Sequence, residues 1–392
     1  MPPLTAGVPL PSIAGNRLRE QIGTAGRGGL PGGTATIYDL ARATGLSPST
    51  VSRALRGIGD ISPSTVARVR ESAARLRYRP NVVARSLALR ASDSFALMLP
   101  DIANPFFPAL VKAVQLRARH HGMTVLLCNT EGVPEAEAEY LEMLASRQIQ
   151  GVVAMGLAIT ADEIRRRVGS GMKIVALDRA AAGGSAASVQ ADHRAGGWMA
   201  TDHLLQRGHR AIAHISGPAQ LSVTVERWEG YRDRMRQAGI DPGTPARGDF
   251  TESSGHRAAQ ELIHSGRHFT ALFCANDLMA LGAISALRSA GLGVPAQISV
   301  VGFDDIELGR YAVPALTTIR QPLEDLARVA VDLLVGLLRG EEAPAPARLA
   351  VELVVRESTA VPPRPVAEKA ATLASSAIAP RGGEDVRSRE DF

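Results

Sequence analysis

The sequence predicts two unlike parts: an all-α N-terminal head folded as a helix-turn-helix, and a larger α/β part made of two doubly wound parallel-sheet subdomains. Three observations carry that prediction. The cap residues Thr36, Ser47 and Ser62 each precede a short apolar-periodic run within residues 34–80. From Ser94 onward, short apolar runs alternate with amphipathic stretches, the pattern of parallel sheets covered on both faces. Charge is also lopsided: between Thr34 and Ser92 ten arginines face only Asp39, Asp60 and Glu71, a local +7 in a chain of net charge +5. A positive field confined to one small segment suits a polyanion.

Residues 1–33 are broken by proline and glycine and hold no continuous apolar run, so they read as a disordered leader and neither as a secretion signal nor as an anchor. No later run approaches the roughly 18 apolar residues of a membrane span. Cys128 and Cys274 each sit inside an apolar, strand-like run without a partner at metal-ligand spacing. Both read as reduced core residues, and the protein is expected in the cytoplasm, with no membrane partner.

In the head, 34–80, Thr36 and Asp39 have the spacing of a capping box, and Leu40, Ala41 and Ala43 continue a helix that Gly45 can end in a left-handed conformation. Ser47 caps a second helix with Pro48 at its first position, where a missing N–H is harmless. Val51 and Leu55 point inward while Ser49, Ser52, Arg53 and Arg56 project elsewhere. The spacing Ala41, Gly45, Val51 suits a helix-turn-helix. Ser62 and Pro63 start a third helix, whose stripe Val66, Val69, Ala73 and Leu76 closes a three-helix core. In that geometry the second helix enters the major groove of duplex DNA. Ser49 and Arg53 would read base edges, and Thr36, Ser47 and Thr50 would position the unit on phosphates.

In the large part, 93–358, polar residues follow the strand runs: Asp101 and Asn104, Asp178 and Arg179, Asn276 and Asp277, Asp304 and Asp305. Ligands of such sheets bind at the carboxyl ends of strands, so these residues would converge on a cleft. Phe106, Phe107 and Phe250 could cover a ligand's apolar faces. Asp277 and Asp305 read mainly as cap or turn residues. The subdomains are expected at 93–189 plus about 322–344, and at 190–319 plus about 345–358. Residues 359–392 form a disordered tail without a sustained heptad, which leaves a homodimer as the default assembly.

"TIYDLARATGLSPSTVSRAL", "YRPNVVARSL" and "LMLPDIANPFF" closely resemble the LacI/GalR family of bacterial transcriptional regulators, in register from about residue 36 to 356. Pro48 departs from relatives that carry a base-contacting side chain there. The resemblance implies a periplasmic-binding-protein-like domain whose effector positions are Asp178, Arg227, Phe250, Asn276, Asp304 and Gln321, with Arg179 and Phe106 as further candidates. Within the hinge and linker at 81–92, Asn81 can cap a helix of about two turns through Ala88, with Val83, Ala84 and Leu87 as its apolar face, and the resemblance implies that two such helices pair in the minor groove. Leu87 from each of two subunits would wedge into the minor groove. The function implied is a sequence-specific regulator, a repressor by default. It would bind a palindromic operator as a dimer, under allosteric control by a sugar or sugar derivative, with no cofactor.

An enzyme is the first rival reading, but the chain lacks G-x-G-x-x-G, GxxxxGK[ST], G-x-S-x-G and H-E-x-x-H, and His193, His203, His209, His214, His256, His264 and His268 fall without ligand spacing. The second rival, a transport-associated binding protein, would need a secretion signal and would have no use for a basic head.

Overall fold

The computed structural model describes residues 35–78, 93–156, 159–178 and 187–363. The chain divides after Leu89 into two compact units. Asn81, Val83, Ala84, Leu87 and Arg179, and the leader of residues 1–33, lie outside the described residues.

The first unit holds three helices, α1 (Ile37–Thr44), α2 (Pro48–Arg56) and α3 (Pro63–Arg75). Its start signals act as the sequence implies. Thr36 and Asp39 close a reciprocal capping box, and Ser47 and Ser62 accept the amides of Thr50 and Thr65. Gly45 and Gly57 end α1 and α2 at φ 67° and 66°, a conformation that costs a side-chain-bearing residue about 1–2 kcal/mol. The core is small: Leu40, Ala41, Val51, Ala54 and Val69 are buried, ringed by partly buried Leu46, Leu55, Val66 and Leu76. Ala54 is fully buried beside Val51, and Leu55 packs partly buried against the same core.

The second unit contains two six-stranded sheets. The first contains β1 (Ser94–Leu99), β2 (Thr124–Asn129), β3 (Gly151–Met155), β4 (Lys173–Leu177) and β5 (Ala187–Ala191). Along β1 the faces alternate. Phe95, Leu97 and Leu99 pack under α4 (Phe106–His120) and α12 (Leu323–Leu338), while Ala96 and Met98 face α5 (Pro134–Ser146) and α6 (Ala161–Val168). Each such buried Leu or Phe contributes about 1.5–3 kcal/mol. A bidentate pair from Arg117 to Asp332, both contacts at 2.7 Å, and His121 Nε2 at 2.8 Å tie α4 to α12.

The second sheet contains β6 (Ile212–Ser216), β7 (Ala246–Arg247), β8 (Ala271–Cys274), β9 (Ser299–Asp304) and β10 (Thr317–Arg320). Helices α7 (His193–Gln206) and α8 (Ser222–Gln237) cover one face; α9 (Glu252–His264) and α10 (Asp277–Ser289) cover the other. A short helix, α11 (Glu307–Tyr311), follows β9. Glycines set the helix spacing. A Cβ on Gly197 would sit 2.2 Å from the Arg227 carbonyl oxygen, and one on Gly230 2.0 Å from that of Arg194, so α7 and α8 touch backbone to backbone. Gly255 and Gly282 do the same for α9 and α10.

The chain passes between the sheets three times: after β5, after β10, and between β11 (Ala347–Leu349) and β12 (Glu352–Val354). Three expected borders shift accordingly. β5 runs to Ala191, because its pairing with β11 continues past the last β4 partner at 189. Residues 347–349 join β5 in the first sheet, although 345–358 were expected in the second; only β12 reaches β10 there. The tail begins later than 359, since Thr359 is buried against His203 and the Ala360 carbonyl meets His209. Among the described residues Cys128 and Cys274 are buried and free, and burial pushes the Cys128 thiol up to about 11. No described helix is long and apolar enough to cross a membrane.

Candidate functional site

Two surfaces carry the expected chemistry, one in each unit. In the first unit, Ser49 and Arg53 are exposed on α2, as expected of residues that reach a partner. Ser47 Oγ lies 2.8 Å from both Ser49 Oγ and Thr50 Oγ1 and accepts the Thr50 N–H at 3.1 Å. Three hydroxyls are thus gathered at the helix N-terminus, where the backbone dipole favours an anion. Pro48 occupies the first helical position and is half-buried. Thr36 is committed to its box, donating to Asp39 Oδ2 at 2.7 Å, and that bonding holds the Asp39 carboxyl below the usual range.

In the second unit the site forms where strands end. Asp178 follows β4, Phe250 follows β7, and Asp304 and Asp305 end or follow β9. All four adopt positive φ, at 54°, 71°, 113° and 55° respectively. Each such residue costs of order 1–3 kcal/mol, a strain that clusters at functional sites. Arg227, on the second turn of α8, is the hub. Its guanidinium donates to the Ala275 carbonyl at 2.5 Å, to His193 Nδ1 at 3.3 Å and to Asp304 Oδ1 at 3.4 Å, and lies 3.8 Å from the Phe303 ring centroid. Gln321, at the second crossover, donates to Asp304 Oδ1 at 2.8 Å. Asp178 Oδ1 accepts the Ala191 N–H at 3.1 Å and stands 3.1 Å from His193 Nε2.

Electrostatics differ across the cleft. Burial pushes the Asp304 carboxyl up to about 6, only partly offset by Arg227 and Gln321. Burial would raise Asp178 too, but His193, the Ala191 amide and Arg227 outweigh it and leave that carboxyl below the usual range. Two carboxylates shifted in opposite directions, a guanidinium and amide groups, buried close together, have the chemistry to bind hydroxyls of a small molecule. Among the described residues, Thr224 Oγ1 and Gln321 Oε1 are buried here without a hydrogen-bond partner, which leaves acceptor and donor capacity for such a ligand.

The structure sorts the other expected residues. Asn276 caps α10 through Met279 and donates to the Phe250 carbonyl at 2.9 Å, so it fixes the loop that carries the ring. Phe106 is buried in the core beneath α4, leaving Phe107 half-buried beside it with ring centroids 5.3 Å apart. Asp101 and Asn104 are local caps, accepting the Ala103 and Phe106 amides. Asp277 and Asp305 are structural, as read. Asp277 accepts Thr318 Oγ1 at 2.5 Å and the Ile306 amide at 2.8 Å, and Asp305 is enclosed by Arg310, Arg320 and Arg356. Burial, with Asp304 and Asp305 near, pushes Asp277 well above the usual carboxylate range. His193 was not among the expected residues. Its signal was available in "QADH", a polar pair at a strand end, once "ASVQA" is seen as a strand.

Residues 36–81 match the model of bacterial regulatory proteins of the lacI family, and 201–359 that of the periplasmic binding protein-like domain. The HTH-type transcriptional repressor CytR of Escherichia coli K12 is 33% identical over 328 residues, 83% of this chain and 96% of its own. The chain belongs to the lacI family. Another lacI-family relative, the regulator GalR of Salmonella typhimurium, is 36% identical over 309 residues, covering 77% of this chain and 89% of the relative. Among solved lacI-family structures, the lac repressor dimer bound to operator and the anti-inducer ONPF aligns with TM-score 0.75 at 29% identity, over 84% of this chain and all of that one. The CelR–cellobiose complex aligns with TM-score 0.63 at 31% identity, over 83% and 99%. Among the described residues no group of three His, Cys, Asp or Glu side chains could hold a metal.

Proposed function

We propose that this lacI-family chain is a dimeric transcriptional repressor acting in the cytoplasm, whose grip on an operator is set by a small neutral polyhydroxylated effector, a sugar or sugar derivative. The observation that carries this reading is the buried set of Asp178, Asp304 and Gln321 at strand ends and Arg227 on α8, drawn from both lobes, in a chain that separately presents Ser49 and Arg53 on an exposed, serine-capped helix. Arg53 would pair with guanine in the major groove, Ser47 and Thr50 would contact phosphate, and Thr36 would do so by turning its hydroxyl away from Asp39. Two heads related by a two-fold axis would read two half-sites of an approximate palindrome. The remaining calls, Asn81, Val83, Ala84 and Leu87 as a minor-groove hinge and Arg179 as an effector contact, extend the same reading. No step of it calls for catalysis or a cofactor; the relatives are regulators.

An effector that touches Asp178 on one lobe and Arg227, Asp304 and Gln321 at the other favours one angle between lobes, and a difference of about 1–3 kcal/mol between the two states is enough to switch binding. To test it, operators would be selected from random duplexes with the full chain and then titrated in gel shifts with and without D-ribose, D-xylulose and cellobiose. Selection of a palindrome whose retention changes with one of these compounds is the expected result. Equal, salt-sensitive retention on every duplex would overturn the reading.

A further inference from the structure

His193 stands where the first crossover enters the second lobe, one residue past the Asp192 cap of α7, and its ring is 1% exposed. It reaches both lobes. Nε2 is 3.1 Å from Asp178 Oδ1, on the first sheet's β4 end, and Nδ1 is 3.3 Å from both Nε and Nη2 of Arg227, on the second lobe's α8. A guanidinium has only donors, so Nδ1 must accept, and the imidazole proton sits on Nε2, facing Asp178. The ring also packs 5.8 Å from the Phe303 ring, which itself lies beneath Arg227. Nε2 stands 3.1 Å from Asp178 Oδ1 without forming a hydrogen bond, so its N–H faces the carboxylate as a dipole.

We infer that His193 is the positioning residue that sets the spacing of the two cleft walls, a neutral imidazole whose Nδ1 accepts from Arg227 of one lobe while its Nε2–H is turned toward Asp178 of the other. The inference rests on the effector-cleft reading for its purpose. Any ligand hydroxyl that takes up Asp178 or Arg227 competes for the two groups this ring joins, so occupancy and lobe angle are coupled through one side chain. The tautomer dictates which substitute can replace it. Gln at 193 offers an oxygen and an N–H of its own to bridge Arg227 and Asp178; Phe keeps the size of the ring and loses both contacts.

The experiment uses the full chain without effector or DNA. In 15N-histidine-labelled protein, the signals lost in H193Q identify His193, and wild type should show an unprotonated Nδ1 and a protonated Nε2. Amide exchange should then rise at least tenfold at Ala191, whose N–H bonds Asp178, and at Ala195, capped by Asp192, in H193F, and stay within about threefold of wild type in H193Q, while β8 (Ala271–Cys274) is unchanged in both. A doubly protonated or Nδ1–H ring would overturn the inference, and so would H193F exchanging like wild type or H193Q exchanging like H193F. If H193F fails to fold, the ring-nitrogen signals and H193Q decide alone. Because neither ligand nor operator enters, failure here leaves the effector reading standing, and a chain indifferent to every sugar tried leaves the bridge standing.

Discussion

Arg53 and Arg227 carry the same guanidinium in opposite settings. Arg53 stands exposed on a helix held by five buried side chains and by caps that span three residues. Arg227 is 4% exposed, and its partners come from points as far apart in the chain as His193 and Asp304. The contrast separates two kinds of function. On the head, the groups proposed to meet DNA are not the groups that hold the fold, so specificity could change at little cost in stability. In the cleft the proposed effector groups also hold the fold, and altering recognition there would mean altering the fold.

Substitutions test that contrast, beginning with the greatest expected effect. Arg227→Met leaves Asp304 and Asp178 buried beside a lost cation and should destabilise the second unit by about 3–5 kcal/mol in urea unfolding, while the first unit melts as before. Unfolding that matches wild type would show that the carboxylates are satisfied without it. Leu40→Ala should cost about 2–5 kcal/mol in the first unit alone, as a drop in its own transition by calorimetry. Because the core there has few members, this variant should lose operator binding while effector binding persists.

The Asp304 titration sharpens the comparison with pH. Its folded value, about 6, lies above its ordinary 3.8, so the carboxyl favours the folded state when protonated, and that contribution is lost as pH rises from about 4 through about 6. Stability of the second unit in Asp304→Asn should fall less than wild type over this window, by on the order of a few kcal/mol, as read from urea midpoints at each pH. Parallel curves would contradict the assignment. Arg53→Ala should weaken binding to a selected operator by about 1–3 kcal/mol in gel shifts, with the first unit's melting changed by no more than about 0.5 kcal/mol. Ser47→Ala, the smallest effect, should lower that melting by about 1 kcal/mol through the lost cap.

The head was legible in the sequence because its signals are local. Thr36, Ser47 and Ser62 bond residues three positions away, and Gly45 marks the turn it makes. In the large part, strands with continuous apolar runs, such as "SFALML" and "SVVGFD", announced themselves, and so did the acidic residue that ends β9. β5 did not, since "ASVQA" is polar at its fourth residue and is buried only by its neighbours in the sheet. α7 was also hidden. Gly196 and Gly197 argue against a helix by propensity, yet they are what lets α8 approach. With β5 and α7 unseen, His193 had no strand end to mark it, and Arg227 was reached through family resemblance rather than through its own surroundings.

The glycine contacts between α7 and α8 have a mechanical consequence. Helices that meet main chain to main chain have no compliant layer of side chains on which to slide, so a pull on Arg227 cannot be absorbed inside its own lobe. Under the proposed effector binding it would be passed on as rotation of the whole lobe about the crossovers at 191–193, 320–323 and 349–352. A single methyl group added at Gly230 would trade that stiffness for a wedge, and the lever would bend where it ought to turn.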